Sequence, residues 1–137
     1  MASNPKTGTA FRQLGLDANF GGADLDSGKY RIYNGTQPAD SDTALSGNTL
    51  LAGLAFGATA FADASGGSIT ANAITQDSSA DATGTMTFAS MLTSADARKH
   101  DHTAGISTGT FDAEFNTDSV VILAVVSVSS MIVTQAS

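Results

Sequence analysis

Residues Thr110 to Phe115 read T-F-D-A-E-F, so that Phe111, Ala113 and Phe115 alternate with Thr110, Asp112 and Glu114. A period of two sends the two sets to opposite faces of a β-strand, and its recurrence along the chain constrains the fold more than any other feature. Tyr30 and Ile32 alternate with Arg31 and Tyr33 ahead of an Asn34-Gly35 turn. That dipeptide is a strong turn signal, which outweighs the glycosylation pattern formed with Thr36. Leu50, Ala52, Leu54 and Phe56 share one face of a second strand. Between Thr83 and Leu92, Met86, Phe88 and Leu92 share a face, and Thr83, Thr85 and Thr87 form a polar ladder opposite. A weaker strand over Ser68 to Thr75 sets Ile69, Ala71 and Ala73 against Thr70 and Asn72, with Ile74 out of phase. Val120 to Val133 is apolar on both faces in part, which suits a strand pair buried between two sheets or between this protein and another.

Short strands separated by Gly, Ser and Asp clusters, with no recurring helical period, predict an antiparallel all-β domain, a β-sandwich or jelly roll. The body runs from residue 28 to 137. Residues 1–27 form an N-terminal arm with at most a short helix, in which Phe11, Leu14 and Ala18 would share a face weakened by Gly8, Gly15 and Gly21-Gly22. Tyr30 and Tyr33 fall on opposite strand faces, one in the core and the other at the surface or as an interface anchor.

The core is expected to be thin. Leu, Ile, Val and Phe number only 28 of 137 residues, and Ala supplies 23 of the remaining apolar positions. An Ala methyl yields far less on burial than the roughly 1.5–3 kcal/mol of a Leu or Phe. A partner surface is therefore expected to add to stability.

Charge excludes some functions. Thirteen acids against six bases give a net charge of −7, which repels phosphate and disfavours nucleic acid as a partner. The absence of cysteine removes disulfides, zinc thiolates and thiol nucleophiles. No apolar run reaches the roughly 20 residues of a membrane-spanning helix, and the first 27 residues lack the apolar centre of a secretion signal, so no membrane is expected.

The densest titratable cluster is Arg98-Lys99-His100-Asp101-His102. His100 and His102 would share a strand face, but two ligands leave a metal site incomplete, and the run is expected as a solvated loop or strand end. Its positive potential would strengthen as pH falls through about 6.5 and could dock an acidic patch. Asp24, Asp26, Asp40 and Asp42 do not continue into a calcium loop and are read as turn caps. No nucleophile elbow, phosphate loop or dinucleotide fingerprint occurs. The chain is expected not to be an enzyme and to need no cofactor or metal.

Several stretches resemble small structural proteins encoded among the head genes of tailed bacteriophages. They are R-I-Y-N-G-T-Q-P-A-D at Arg31 to Asp40, T-L-L-A at Thr49 to Ala52, I-T-A-N-A-I at Ile69 to Ile74 and S-S-A-D-A-T-G-T at Ser78 to Thr85, with a last strand over Val126 to Thr134. The resemblance covers about half the chain, and Ala89 to Ala104 and residues 1–27 depart from it. It implies a capsid decoration, or cement, protein, made in the host bacterial cytoplasm and carried in the virion. Such a protein binds the outer surface of the major capsid protein lattice, as a homo-oligomer, and stabilises the head. The alternative it leaves open is a tail or head-tail connector subunit. Contact candidates under this reading are Phe11, Leu14, Leu16 and Phe20 of the arm, then Tyr33, and Arg98, Lys99 and His100.

Overall fold

The computed structural model describes residues 16–21, 23–104, 111–117 and 119–134. The chain is all-β and antiparallel, in a sandwich-like arrangement. Its strands are β1 (Lys29–Tyr33), β2 (Leu50–Phe56), β3 (Ser68–Thr70), β4 (Ile74–Thr75), β5 (Gly84–Thr85), β6 (Phe88–Leu92), β7 (Arg98–Thr103), β8 (Phe111–Phe115), β9 (Ser119–Val120) and β10 (Val128–Thr134). They build a five-stranded sheet in the order β4-β2-β1-β6-β7, a three-stranded sheet β3-β10-β8 and a β5-β9 pair.

Register explains the core. Tyr30 and Ile32 stand opposite Leu54 and Ala52 on one side and Met91 and Ala89 on the other. Paired residues share a face, so these six form an apolar surface, and all are buried. Ile69, Phe115, Val128, Met131 and Val133 of the second sheet join them in one cluster. The Tyr30 ring ties the two sheets, with its centroid 5.8 Å from that of Phe56 and 6.0 Å from that of Phe115. Offset aromatic pairs at such distances contribute about 0.5–1.5 kcal/mol beyond area burial.

The β2 face is as its alternation predicts: Ala52, Leu54 and Phe56 are buried, and Gly53 and Ala55 exposed. Leu50 is only half-buried, because a register shift between Ile32 and Tyr33 turns Leu51 inward. The expected strand over 68–75 divides, since β3 pairs with β10 and β4 with β2. Three residues carry the chain from one sheet to the other, and the out-of-phase Ile74 marks the crossing. The expected strand over 83–92 also breaks, at Met86-Thr87, where the Thr87 hydroxyl donates to the Gly35 carbonyl at 2.7 Å.

The N-terminal segment differs most from expectation. Residues 16–19 form one helical turn in which the Phe20 N–H donates to the Leu16 carbonyl at 2.8 Å, and a 3-10 turn follows at Ala23–Leu25. Leu16, Phe20 and Leu25 are all in the core, and Ala18 is exposed. Asp17 and Asp26 accept hydrogen bonds from the Ala64 and Ala60 N–H groups at 2.7 and 2.8 Å, fastening the segment to the body. Residues 16–21 and 23–27 therefore belong to the body and not to a free arm. Phe11 and Leu14 lie outside the described residues.

Candidate docking site

Of the apolar run Val120–Val126 only Val120 lies in a strand, β9, and the run is not a buried strand pair. Val120 and Val126 are buried, while between them Val121, Ile122, Leu123 and Val125 are 55, 51, 74 and 43% exposed. A run of consecutive apolar residues facing solvent is a defect unless it is functional.

The backbone of the run is fixed. The Ala124 N–H donates to the Val121 carbonyl at 2.9 Å, closing a β-turn with Leu123 in its third position at φ +69°. Glycine or asparagine is the ordinary occupant of that conformation, and a leucine there carries strain. The segment 77–83 clamps the turn from one side. The Leu123 N–H donates to the Ala80 carbonyl, the Ala80 N–H to the Ala124 carbonyl, and Asp77 and Val126 exchange both backbone bonds, all at 2.9 Å. The Ile122 N–H reaches the Thr83 hydroxyl at 2.9 Å, and the Asn116 amide reaches the Val125 carbonyl at 3.0 Å. Rigid backbone, strained leucine and exposed side chains together make a preformed apolar knob.

Of the residues singled out by sequence, Tyr33 is buried and stacks on Phe88 with centroids 5.2 Å apart, so it is no exposed anchor. Leu16 and Phe20 are likewise core residues. The Arg98-to-His102 run is the edge strand β7 and not a solvated loop. Arg98 forms an ion pair with Asp101, the two side chains being 12% and 3% exposed, and Asp101 also accepts the Ser90 hydroxyl at 2.7 Å. The Arg98 guanidinium donates to the Thr43 carbonyl at 2.6 Å, which pins the connection between β1 and β2 over the outer sheet face. Of the three basic candidates only Lys99 is exposed, and its carbonyl accepts the Ser41 hydroxyl at 3.2 Å.

His100 and His102 do share a face, the inner one. His102 is buried and hydrogen-bonded to the Tyr30 hydroxyl at 2.7 Å, while His100 stacks on Phe20 with centroids 4.5 Å apart. Burial pushes the His100 imidazole below its ordinary range against the opposing pull of Asp101, and burial raises the Tyr30 phenol well above its own. Among the described residues no three His, Cys, Asp or Glu side chains converge as a metal site, and no helix is long and apolar enough to cross a membrane.

Sequence reading missed the knob because its turn holds no Gly, Pro, Asn or Asp. The available signal was the loss of alternation across Val120–Val126, which fits a strand poorly unless both of its faces are covered. In comparisons with known proteins the chain matches no protein family, no curated protein and no solved structure.

Proposed function

We propose that this protein is a bacteriophage capsid decoration protein, which docks on the outside of the head and holds neighbouring positions of the major capsid protein lattice together. The observation that carries the reading is the exposed turn Val121–Val125, rigidly held and strained where it is most apolar. The resemblance of Arg31–Asp40, Thr49–Ala52, Ile69–Ile74 and Ser78–Thr85 to head-gene proteins supplies the setting.

Energetics support an array. Fully burying a Val, Leu or Ile yields roughly 1.5–3 kcal/mol, so covering four that are 43–74% exposed yields on the order of 4 kcal/mol. Association costs at least about 4 kcal/mol in lost translational and rotational freedom, so a single free contact is weaker than millimolar. The turn offers on the order of a few hundred Å², against about 800 Å² per partner in a stable free complex. Such a contact becomes firm only when a lattice presents many sites at high effective concentration.

The test adds the purified protein to heads that lack it. Wild type should bind and raise the temperature at which the heads release their contents, and Leu123→Asp should do neither while keeping its own fold by circular dichroism. Equal binding by Leu123→Asp would refute the docking role of the turn. Binding of wild type to isolated tails instead of heads would favour the connector or tail alternative.

A further inference from the structure

The Lys and Arg residues of the chain are Lys6, Arg12, Lys29, Arg31, Arg98 and Lys99, so neither 32–97 nor 100–137 holds any of them. The knob and the segments that clamp it come entirely from those two stretches. Segment 77–83 contributes Asp77 and Asp81, and the sequence through the turn, 111–134, contributes Asp112, Glu114 and Asp118. The described bases are occupied or distant. Lys29 and Arg31 pair with Asp96 at 2.5 and 2.8 Å, while Arg98 and Lys99 lie on β7, three strands from β2. The apolar turn therefore stands in an acidic field with no cation of its own.

The backbone fixes two of these carboxylates beside the turn. Asp77 exchanges both backbone bonds with Val126, and Ala80, next to Asp81, exchanges bonds with Leu123 and Ala124, all at 2.9 Å. Chains bonded in this way lie about 5 Å apart. The Debye length at physiological salt is about 8 Å, so a partner seated on the knob feels both charges. The Asp77 carboxylate is held by the Gly53 and Ser79 N–H groups, each at 2.9 Å, and Asp81 is exposed. A second copy that brought its own knob to this one would set Asp77 and Asp81 against themselves, so the acids keep the apolar turns of free molecules apart. A partner that places Lys or Arg around an apolar hollow gains from the same charges. An apolar centre with a polar, charged rim is the ordinary anatomy of a protein interface.

We propose that the partner of the Val121–Val125 turn is a protein surface with an apolar socket rimmed by lysine or arginine side chains. The inference rests on the docking role proposed above for the turn and adds the chemistry of the other side. The turn, uncharged from Ser119 to Thr134, fills the socket, and Asp77 and Asp81 meet the rim. Rim charge governs how fast and in what orientation the surfaces meet, while the apolar centre holds them.

The experiment measures binding of the purified protein to heads that lack it over a range of salt, with two charge reversals. Asp81→Lys reverses the exposed carboxylate beside the knob. Asp42→Lys makes the same change in net charge at the β7 edge of the sheet, on the connection that Arg98 holds through the Thr43 carbonyl. Three strand spacings, about 14 Å, put that position outside the Debye length. Wild type should lose about tenfold in affinity between about 0.05 and about 0.5 M salt. Asp81→Lys should bind about tenfold more weakly than wild type in low salt and equally in high salt, and Asp42→Lys should stay within about twofold of wild type. Wild-type binding that is unchanged or tighter in high salt, an Asp81→Lys protein that binds as wild type does, or an Asp42→Lys protein that loses as much would each overturn the proposal. If Leu123→Asp still fails to bind in those cases, the turn docks on an uncharged socket and the decoration role stands. If wild type does not bind heads at all, the decoration reading falls, and the socket chemistry is read from a synthetic peptide of alternating leucine and lysine. Wild type should bind that peptide several-fold more tightly than Asp81→Lys or Leu123→Ser does, and equal binding by either variant overturns the proposal.

Discussion

Replacing Leu123 by glycine should make the protein more stable while abolishing its docking. The side chain is 74% exposed and its backbone sits at φ +69°, so the substitution removes little core contact and releases left-handed strain. That strain is about 1–2 kcal/mol for an L-residue. Glycine gives back about 0.5–1 kcal/mol through the greater freedom of the unfolded chain. The net gain is about 0.5–1 kcal/mol. For 137 residues at about 2.1 cal/mol/K each, a kilocalorie moves Tm by about 3 °C, so Leu123→Gly should melt about 2–3 °C higher than wild type. Leu123→Ala keeps the strained backbone and should stay within about 0.5 kcal/mol of wild type. Differential scanning calorimetry of the three proteins decides the matter. A Leu123→Gly protein that melts below Leu123→Ala would mean that the turn is relaxed in its native shape, and the reading of it as a strained, displayed element would fail.

Tyr30→Phe keeps the ring and removes the hydroxyl bonded to His102, leaving a buried imidazole nitrogen without that partner; urea titration should show a loss of about 1–3 kcal/mol. Arg98→Met leaves the buried Asp101 carboxylate uncompensated and should cost about 3–5 kcal/mol, with most of the loss recovered when Asp101→Asn is added. It should also expose the β1–β2 connection to limited proteolysis, and equal protease resistance would show that other contacts hold that connection. Because the His100 pKa lies below its unfolded value, the folded state binds fewer protons, so its contribution is complete above about pH 6.5 and is lost as pH falls through the folded pKa. Melting curves should drop across that window, and His100→Gln should flatten the drop; an unchanged slope would place the acid sensitivity elsewhere.

Alternation was a dependable guide wherever one face of a strand meets the core and the other meets water, as in β2. It even carried the crossing between sheets, since Ile74 breaks phase where β4 begins. It could not show Arg98 and Asp101 buried, because what covers them is a connection more than fifty residues earlier in the chain, docked by backbone carbonyls that no side-chain pattern encodes. Tyr33 failed as an anchor for a related reason: in β6 both faces are covered, and Phe88 on the outer one takes the Tyr33 ring. Leu16 and Phe20 were expected as contact residues of an arm, yet one helical turn sufficed to aim both at the core, with Phe20 resting on Phe61 and His100. The knob was visible as composition and invisible as shape, because nothing in V-I-L-A-V announces a bend.

β10 is the middle strand of its sheet and, among the described residues, the last strand to be made. Until Val128–Thr134 leaves the ribosome, β3 and β8 have no strand to pair with, and the inner face of the larger sheet has no second sheet to lie against. Pairing of the three-stranded sheet therefore waits for Val128–Thr134, and until then a nascent chain leaves Tyr30, Ile32 and Leu54 without their second layer. A chain that stops before residue 128 lacks the strand that joins β3 to β8 and leaves the inner face of the larger sheet open to aggregation. The closing of the second layer is thus timed by the synthesis of a single strand.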